Sequence, residues 1–169
     1  GDDIIDPKPF AMANGYVTFG TFNNPYKIVP AVVDAWARIL HGVPNSRLSL
    51  VRYEDKNETI TRNLRAAFEA RGIDPERIVI DVNPRGWHMF WYNRVDIALD
   101  TFPQTGGTTT CETIWMGVPV VTLVGTEIFG RLSYSTLMQG GFPELCCHTV
   151  DDYVRTAIEL GLDHDRIVR

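Results

Sequence analysis

Residues Asp100 to Thr122 read D-T-F-P-Q-T-G-G-T-T-T-C-E-T-I-W-M-G-V-P-V-V-T. The pattern predicts the end of one strand, a loop of small residues, a helix that begins at threonines, and a second strand. Gly106 and Gly107 would let a ligand approach the backbone, because glycine has no Cβ. The N–H groups at a helix start carry a partial positive charge that suits phosphate. The stretch therefore indicates a cradle for a nucleotide diphosphate.

The helix start offers two interpretations. In the first, Thr108, Thr109 and Thr110 place hydroxyls beside the phosphates, and Glu112 lies one turn later, within reach of a sugar diol. In the second, Thr109 and Glu112 form a capping box that satisfies the helix N–H groups without any ligand. A cap alone does not explain two glycines and three threonines together after a strand, so phosphate binding is favoured.

The composition is that of an ordinary globular domain. The 169 residues suffice for one domain with a core, and 44% hydrophobic and 22% charged residues are close to the average. A net charge of −5 argues against a nucleic-acid binder. Three cysteines without disulfide or metal spacing fit a reducing compartment. Without a signal peptide or an apolar run of about 20 residues, the sequence predicts a cytoplasmic protein with no membrane partner.

Apolar runs alternate with helical patterns along the chain, which predicts an α/β fold with a parallel sheet and helices on both faces. Strands are expected at Tyr16–Phe22, Leu48–Val51, Arg77–Asp81, Val95–Asp100 and Val118–Leu123. Helices are expected at Pro30–Leu40, Glu58–Arg71, Trp87–Asn93, Thr109–Met116, Phe129–Gln139 and Asp151–Leu160. Gly72 is expected to end the second helix in a left-handed conformation.

Three loops carry polar residues to one edge of this sheet. Parallel sheets bind ligands at the carboxyl ends of their strands, near a switch in strand order. Asn24 and Lys27 follow the first strand, Arg85 and His88 follow the third, and the Gly-Thr run follows the fourth. Lys27 would neutralise a diphosphate, Arg85 would bind an anion, and His88 would donate to a phosphate or a base. Each residue alone is as easily a surface or structural residue, but their convergence favours a site.

Signatures of other enzyme sites are absent from the sequence. It contains no P-loop, no Gly-x-Gly-x-x-Gly after the first strand and no Gly-x-Ser-x-Gly elbow. The four histidines lack metal-ligand spacing, so no metal is predicted. Trp87, Trp91 and Tyr92 would either stack on a nucleobase or belong to the core. Arg131 would either reach a ligand or cover the sheet edge.

Five segments, in order and spacing, resemble the C-terminal catalytic lobe of the O-linked N-acetylglucosamine transferase family, including its bacterial and SPINDLY-like branches. The resemblance covers the chain from about Tyr16 to the end. The segments are F-G-T-F-N-N-P-Y-K-I (Phe19–Ile28), V-P-N-S-R-L-S-L (Val43–Leu50), R-I-V-I (Arg77–Ile80), D-I-A-L-D-T (Asp96–Thr101) and G-G-T-T-T-C-E-T-I-W-M-G-V-P-V-V-T (Gly106–Thr122).

The resemblance implies a GT-B glycosyltransferase, in which two Rossmann-like lobes enclose a sugar nucleotide held mainly by the C-terminal one. By position, Lys27 matches the catalytic lysine beside the diphosphate, and Asn24 lies where animal members have a donor-contacting glutamine. Arg85 and His88 lie where a lysine and a histidine flank the nucleoside. Among the remaining matches, Thr108 and Thr109 are phosphate-binding threonines and Glu112 replaces the aspartate that holds the ribose.

Departures from the animal pattern leave the donor open. Gly107 stands where animal members have a histidine, Trp91 where they have an arginine near the uracil, and Glu112 is one methylene longer than the aspartate. The resemblance therefore implies either UDP-GlcNAc or, as in SPINDLY-like relatives, GDP-fucose, with no metal and no further cofactor.

Residues 1–14 are expected to be a linker from an N-terminal lobe, and residues 15–169 the donor-nucleotide-binding lobe. The resemblance implies a parent with tetratricopeptide repeats, whose N-terminal lobe and repeats bind the protein acceptor. This lobe alone is expected to fold but not to catalyse. Two alternatives stay open: a non-catalytic nucleotide-binding or interaction module, and a GT-B sugar transferase or epimerase acting on a small molecule.

Overall fold

The computed structural model describes residues 15–23, 25–52, 58–82, 94–106, 108–125 and 131–163. In this part of the chain the strands are β1 (Thr18–Thr21), β2 (Arg47–Arg52), β3 (Ile78–Val82), β4 (Ile97–Leu99), β5 (Val120–Leu123) and β6 (Cys146–Cys147). The α-helices are α1 (Pro30–Gly42), α2 (Glu58–Glu69), α3 (Thr108–Trp115), α4 (Leu132–Gln139) and α5 (Val150–Leu162). Single 3-10 turns lie at Pro25–Lys27, Pro75–Arg77 and Pro143–Leu145.

The strands form one parallel sheet in the order β3-β2-β1-β4-β5-β6. The chain builds outward from β1 in one direction and, after β4, outward in the other. The strand order therefore reverses between β1 and β4, where Phe19 pairs with Ile97. The loops that leave these two strands meet at their carboxyl ends, which is where ligands of such sheets bind.

Helices cover both faces of the sheet. Crossovers between parallel strands are right-handed, so the helices of the β1–β2–β3 half and of the β4–β5–β6 half lie on opposite faces. The final helix α5 packs against α1, and the indole Nε1 of Trp36 donates a 2.8 Å hydrogen bond to the hydroxyl of Tyr153. Both side chains are fully buried, so this bond fixes α5 on the α1 face.

Helices α1 and α5 begin at residues that favour a helix N-terminus, and α1 buries an apolar face. Helix α1 starts at Pro30, whose missing N–H costs nothing in the first turn, and its apolar residues recur at helical spacing. Helix α5 begins after Thr149, whose hydroxyl accepts from the Asp152 N–H at 3.0 Å. The buried face of α1 consists of Val32, Val33, Ala35, Trp36, Ala37, Ile39 and Leu40.

The parallel α/β fold with helices on both faces is confirmed, with ends that differ by a few residues. Gly72 has φ +79°, and the Ile73 N–H donates to the Phe68 carbonyl at 3.1 Å, as expected of a left-handed helix end. The predicted helix Trp87–Asn93 lies outside the described residues. Strand β6 was not predicted, because two residues are too few to show a period.

Candidate functional site

Lys27 lies against the loop that leads from β4 into α3. It ends the 3-10 turn that follows β1, and its Nζ donates to the carbonyl of Thr105 at 3.4 Å. The loop Thr101–Gly106 follows β4 on the neighbouring strand of the sheet. The structure thus brings the predicted cation to the predicted glycine-rich loop at the switch point.

The carboxylate of Asp100 joins the carboxyl ends of three strands. Its Oδ1 accepts from the N–H of Gly106 at 2.9 Å, from the N–H of Thr101 at 3.0 Å and from Nδ2 of Asn23 at 3.3 Å. Its Oδ2 accepts from the hydroxyl of Thr122 at 2.7 Å. Asn23 follows β1, Asp100 follows β4 and Thr122 lies in β5, so one side chain holds all three ends together.

Burial and hydrogen bonding act on Asp100 in opposite directions. The residue is 2% exposed, and burial raises the pKa of its carboxyl group above the usual range. The hydroxyl of Thr122 and the N–H groups of Gly106 and Thr101 oppose that rise, because donors favour the charged form. Among the described residues no ion pair involves Asp100, so hydrogen bonds alone compensate the buried charge.

Gly106 is held by its carbonyl as well as by its N–H. The hydroxyl of Ser133 in α4 donates to the Gly106 carbonyl at 2.9 Å. Ser133 has one hydroxyl hydrogen, so the 2.7 Å contact between its Oγ and the Thr110 Oγ1 is donated by Thr110. A Cβ at position 106 would lie 2.7 Å from Thr110 Oγ1 and 3.1 Å from Asn23 Oδ1, so only glycine fits here.

The amide oxygen of Asn23 lies in the same cluster. It is buried and accepts no hydrogen bond within the described part of the chain. Its Nδ2 is committed to the Asp100 carboxylate, which fixes the orientation of the amide. A buried acceptor without a donor is costly, and such groups deserve a specific explanation.

The predicted site residues are only partly described. Asn24, Arg85, His88 and Gly107 lie outside the described residues, as do the side chains of Thr108 and Thr109. Their contacts with a donor stay predictions.

Of the remaining predicted residues, Lys27, Gly106 and Thr110 lie at the loop that follows β4. Gly106 follows β4, and Lys27 contacts its loop through Thr105. Thr110 is 3% exposed with its hydroxyl bonded to Ser133, and Glu112 lies half-buried in α3. Arg131 precedes α4 and lies over the ring of Tyr134, with 4.9 Å from its Cζ to the ring centroid.

Sequence reasoning missed the residues that hold the loop from behind. Asp100 was treated only as a strand end, although a carboxylate that ends an apolar strand next to a Gly-Thr loop is a usable signal. Ser133 and Tyr153 gave no signal. The hydroxyl of Tyr153 donates to the Asp100 carbonyl at 2.7 Å, a contact across 53 residues that only the folded chain reveals.

The described residues contain neither a membrane-spanning helix nor a cluster of metal-ligating side chains. No helix in the described ranges is long and apolar enough to cross a membrane. In the same ranges no three His, Cys, Asp or Glu side chains are grouped so that they would hold a metal ion.

Comparison with known proteins gives consistent matches over most of the chain. The sequence model of glycosyl transferase family 41 matches residues 5–169. The chain is 41% identical over 163 residues to the probable UDP-N-acetylglucosamine–peptide N-acetylglucosaminyltransferase SPINDLY of Solanum lycopersicum, and the match covers 94% of this chain and 17% of that protein. It is 35% identical over 159 residues to the UDP-N-acetylglucosamine–peptide N-acetylglucosaminyltransferase of Caenorhabditis elegans, with 94% and 14% covered.

Solved structures agree with these sequence matches. A mutant of the Thermobaculum terrenum O-GlcNAc transferase superposes with a TM-score of 0.86 at 39% identity, and the match covers 91% of this chain and 30% of that one. Anabaena Alr3699/HepE in complex with UDP and glucose has a TM-score of 0.53 at 15% identity over 96% of this chain and 49% of that one, and shares the fold alone. The expected GT-B lobe is thereby confirmed.

Proposed function

Since this chain belongs to glycosyl transferase family 41, we propose that it is the donor-nucleotide-binding lobe of a protein O-glycosyltransferase. The reaction is transfer of N-acetylglucosamine from UDP-GlcNAc to Ser or Thr of an acceptor protein. The observation that carries the proposal is the contact of Lys27 with the loop that leads into α3, at the switch point of the sheet. The chain spans 17% of the tomato relative, so the whole protein's activity belongs to this proposal.

The chemistry concerns the leaving diphosphate. Negative charge develops there as the glycosidic bond breaks, and groups already aimed at it lower the barrier. In this proposal Lys27, the first N–H groups of α3 and the hydroxyls of Thr108 and Thr109 stabilise that charge, without a metal ion. Glu112 binds the ribose, and Asn24, Arg85 and His88 contact the rest of the donor.

Gly106 and Thr110 take a different part in this scheme. The N–H of Gly106 is bound to Asp100, and the Thr110 hydroxyl is bound to Ser133. These groups shape the loop, and the phosphates are left to the residues that follow Gly106. Residues 15–169 are proposed to form this lobe, and residues 1–14 to join it to an N-terminal lobe that receives the protein acceptor.

A GDP-fucose donor is the second candidate. It is favoured by Trp91 and Gly107, which stand where animal members of the family place an arginine near the uracil and a histidine. The diphosphate contacts proposed above involve neither residue, so the same lobe would serve a protein O-fucosyltransferase. The donor assay below separates the two.

The test measures sugar transfer to an acceptor protein by the full-length protein that carries this sequence. Labelled UDP-GlcNAc and GDP-fucose are supplied in parallel, and a melting curve is recorded for each variant. Lys27→Ala removes the cation and Thr108→Ala removes one hydroxyl. Hydrogen bonds to charged groups contribute about 1.5–3 kcal/mol, so Thr108→Ala should slow transfer about ten- to a hundredfold.

Two matched controls remove the same groups elsewhere. Arg155→Ala deletes an exposed cation of α5, and Thr136→Ala deletes a half-buried hydroxyl of α4 that donates to the Leu132 carbonyl. Both controls should keep transfer near the parent level. Unchanged transfer by Lys27→Ala would remove Lys27 from the site, and donor binding by the parent without transfer would instead support a non-catalytic nucleotide-binding module. Transfer to a small sugar, with none to the acceptor protein, would favour a GT-B sugar transferase that acts on a small molecule.

A further inference from the structure

We propose that Asp100 is a positioning residue for the donor diphosphate, acting through the backbone of Gly106. Its carboxylate fixes the N–H of Gly106, the Ser133 hydroxyl fixes the carbonyl, and together they set the direction of the α3 N-terminus before a donor binds. This inference rests on the proposed function, since it assigns a role within the same site.

Both backbone polar groups of Gly106 are held by side chains. These side chains come from β4's carboxyl end and from α4, and each bond is 2.9 Å long. Thr110, inside α3, donates to the same Ser133 hydroxyl at 2.7 Å. Helix α3 begins only two residues after Gly106, so these three bonds restrict how its first N–H groups point.

The donors around position 100 require a carboxylate. Three donors converge on Oδ1 of Asp100 and a fourth binds Oδ2. Bonds to an ionised acceptor are about twice as strong as bonds between neutral groups. An asparagine keeps the shape but offers one acceptor oxygen, so the amide NH₂ must face either Thr122 or the N–H groups of Thr101 and Gly106. In both orientations the loop is held less firmly.

The Asp100 carboxylate does not itself contact the donor diphosphate in this proposal. Asp100 is 2% exposed, and its negative charge would repel a diphosphate at close range. Its effect on the donor must therefore pass through the loop that it holds. The same loop accepts the Lys27 ammonium at the Thr105 carbonyl, so one anchored segment would place both the cation and the N–H donors. Donors held in place beforehand need no reordering when charge develops.

The experiment compares the full-length parent with Asp100→Asn by calorimetric titration. The probes are UDP and GDP, and uridine and guanosine monophosphate as ligands that lack the second phosphate. Asp100→Asn should weaken diphosphate binding about tenfold, the equivalent of about 1.4 kcal/mol, and leave the monophosphate within about threefold. Turnover should fall in parallel. A role confined to stability would lower the melting temperature and leave the diphosphate-to-monophosphate affinity ratio unchanged.

A matched serine pair keeps the proposal testable if Asp100→Asn does not fold. Ser133 and Ser46 are both 0% exposed, and each hydroxyl donates to a backbone carbonyl, of Gly106 at 2.9 Å and of Val43 at 2.7 Å. Each also accepts one further bond, from Thr110 and from Arg77. Ser133→Ala and Ser46→Ala should lower the melting temperature by similar amounts, but only Ser133→Ala should lower the diphosphate-to-monophosphate affinity ratio.

The outcomes separate the two proposals. If the parent binds neither UDP nor GDP, the proposed function fails and this inference fails with it. If the parent prefers diphosphate and both Asp100→Asn and Ser133→Ala keep that preference, the positioning role is overturned while the proposed function stands. A loss of preference in Ser133→Ala, with the preference kept by a folded Asp100→Asn, would also overturn the role of Asp100.

Discussion

The amino and carboxyl edges of the sheet each place a charged side chain at the centre of a hydrogen-bond network, but the two charges are opposite. At the amino edge, the Arg77 guanidinium donates to the carbonyls of Leu40, Val43 and Ser46 at 2.7, 3.3 and 2.8 Å. At the carboxyl edge, the Asp100 carboxylate accepts from N–H and O–H donors. Burial disfavours the charge in both, lowering the pKa of Arg77 and raising that of Asp100.

The difference in sign has a structural consequence. A cation at the end of α1 satisfies carbonyls that a helix terminus leaves unpaired, so the amino edge is closed by its own network. At the carboxyl edge, the Asp100 carboxylate accepts hydrogen bonds from backbone N–H groups of the loop Thr101–Gly106. The proposed phosphate-binding residues follow this loop in the sequence. In the described part of that cluster, the Asn23 amide oxygen still lacks a donor. We therefore expect changes at the amino edge to affect stability and changes at the carboxyl edge to affect ligand binding.

The largest expected effect is on function, from Gly106→Ala. The new Cβ would lie 2.7 Å from Thr110 Oγ1, a hydroxyl that is tied to Ser133 and cannot move without breaking that bond. The loop must shift, and positioned groups lose their effect when displaced by about 1 Å. We expect sugar transfer by the full-length protein to fall about a hundredfold, measured at saturating donor.

Gly42→Ala is the matched change at the other edge. Its Cβ would also run into a side chain, that of Ile158 in α5, but this site lies at the end of α1 near β2. It should lower the melting temperature and leave the diphosphate affinity of the folded protein unchanged. Equal losses of sugar transfer in Gly106→Ala and Gly42→Ala would mean that the carboxyl edge is not more important for ligand binding than the amino edge.

The next largest effect is on stability, from Arg77→Met. The substitution keeps the aliphatic stem and removes the guanidinium donor from the carbonyls of Leu40 and Ser46, while the Val43 carbonyl still accepts from the Ser46 hydroxyl. Because the guanidinium is only partly buried, we expect a loss of about 2 kcal/mol in the free energy of unfolding, measured in urea. Diphosphate affinity should not change.

Arg47→Met provides the comparison for Arg77. The Arg47 guanidinium donates to exposed groups of Asn45 and lies over the Tyr16 ring, at 4.8 Å from the centroid. Its removal should cost less than about 1 kcal/mol. A cost as large as that of Arg77→Met would show that the carbonyl network is not what makes Arg77 important.

The sequence predicted the sheet because strand formation here depends on local pattern. The run Ile78-Val79-Ile80 and the run Val120-Val121 are β-branched, apolar and bounded by turn residues, so a short window of sequence is enough to predict a strand there. Gly72 ended its helix as expected for the same local reason. The edge at which Lys27 and Gly106 lie followed from strand direction alone.

The network behind the loop depended on information that no local window contains. Thr122 reaches Asp100 only because β5 lies beside β4, and Ser133 reaches Gly106 only because α4 turns that face inward. Thr110 shows the same dependence on distant residues. The sequence predicted its hydroxyl as a phosphate contact, whereas in the structure that hydroxyl is bonded to Ser133. The roles given to Asn24, Arg85, His88, Thr108 and Thr109 stay predictions.

A smaller effect is expected in the pH dependence of stability. Burial raises the pKa of Asp100, so this carboxyl group stays protonated to a higher pH in the folded protein than in the unfolded chain. In the unfolded chain the pKa of an aspartate is about 3.9. The resulting stabilisation is full below about pH 3.9 and is lost as pH rises through the folded pKa. Asn cannot titrate, so the melting temperature of the parent minus that of Asp100→Asn should fall as pH rises from about 4.

Melting curves of both proteins at intervals of pH would measure that difference, with Asp34→Asn as the control. Asp34 lies on α1 and forms an ion pair with Arg71, and 64% of the Asp34 side chain is accessible. A melting-temperature difference between the parent and Asp100→Asn that grows with pH would contradict the prediction. It would mean that the four donors outweigh burial and hold the folded pKa below the unfolded one.

The smallest effect is expected where charges meet in water, away from both edges. Arg38 on α1 donates to Asp151 on α5 at 2.9 Å, and their side chains are 52% and 86% exposed. Such pairs contribute about 0–1 kcal/mol, because solvent and salt screen them and two flexible side chains must be ordered. Arg38→Ala should therefore change the free energy of unfolding by less than about 0.5 kcal/mol and leave nucleotide affinity intact. Urea unfolding at low and high salt measures it, and a loss near that of Arg77→Met would show that charge itself, and not its burial among backbone groups, stabilises this fold.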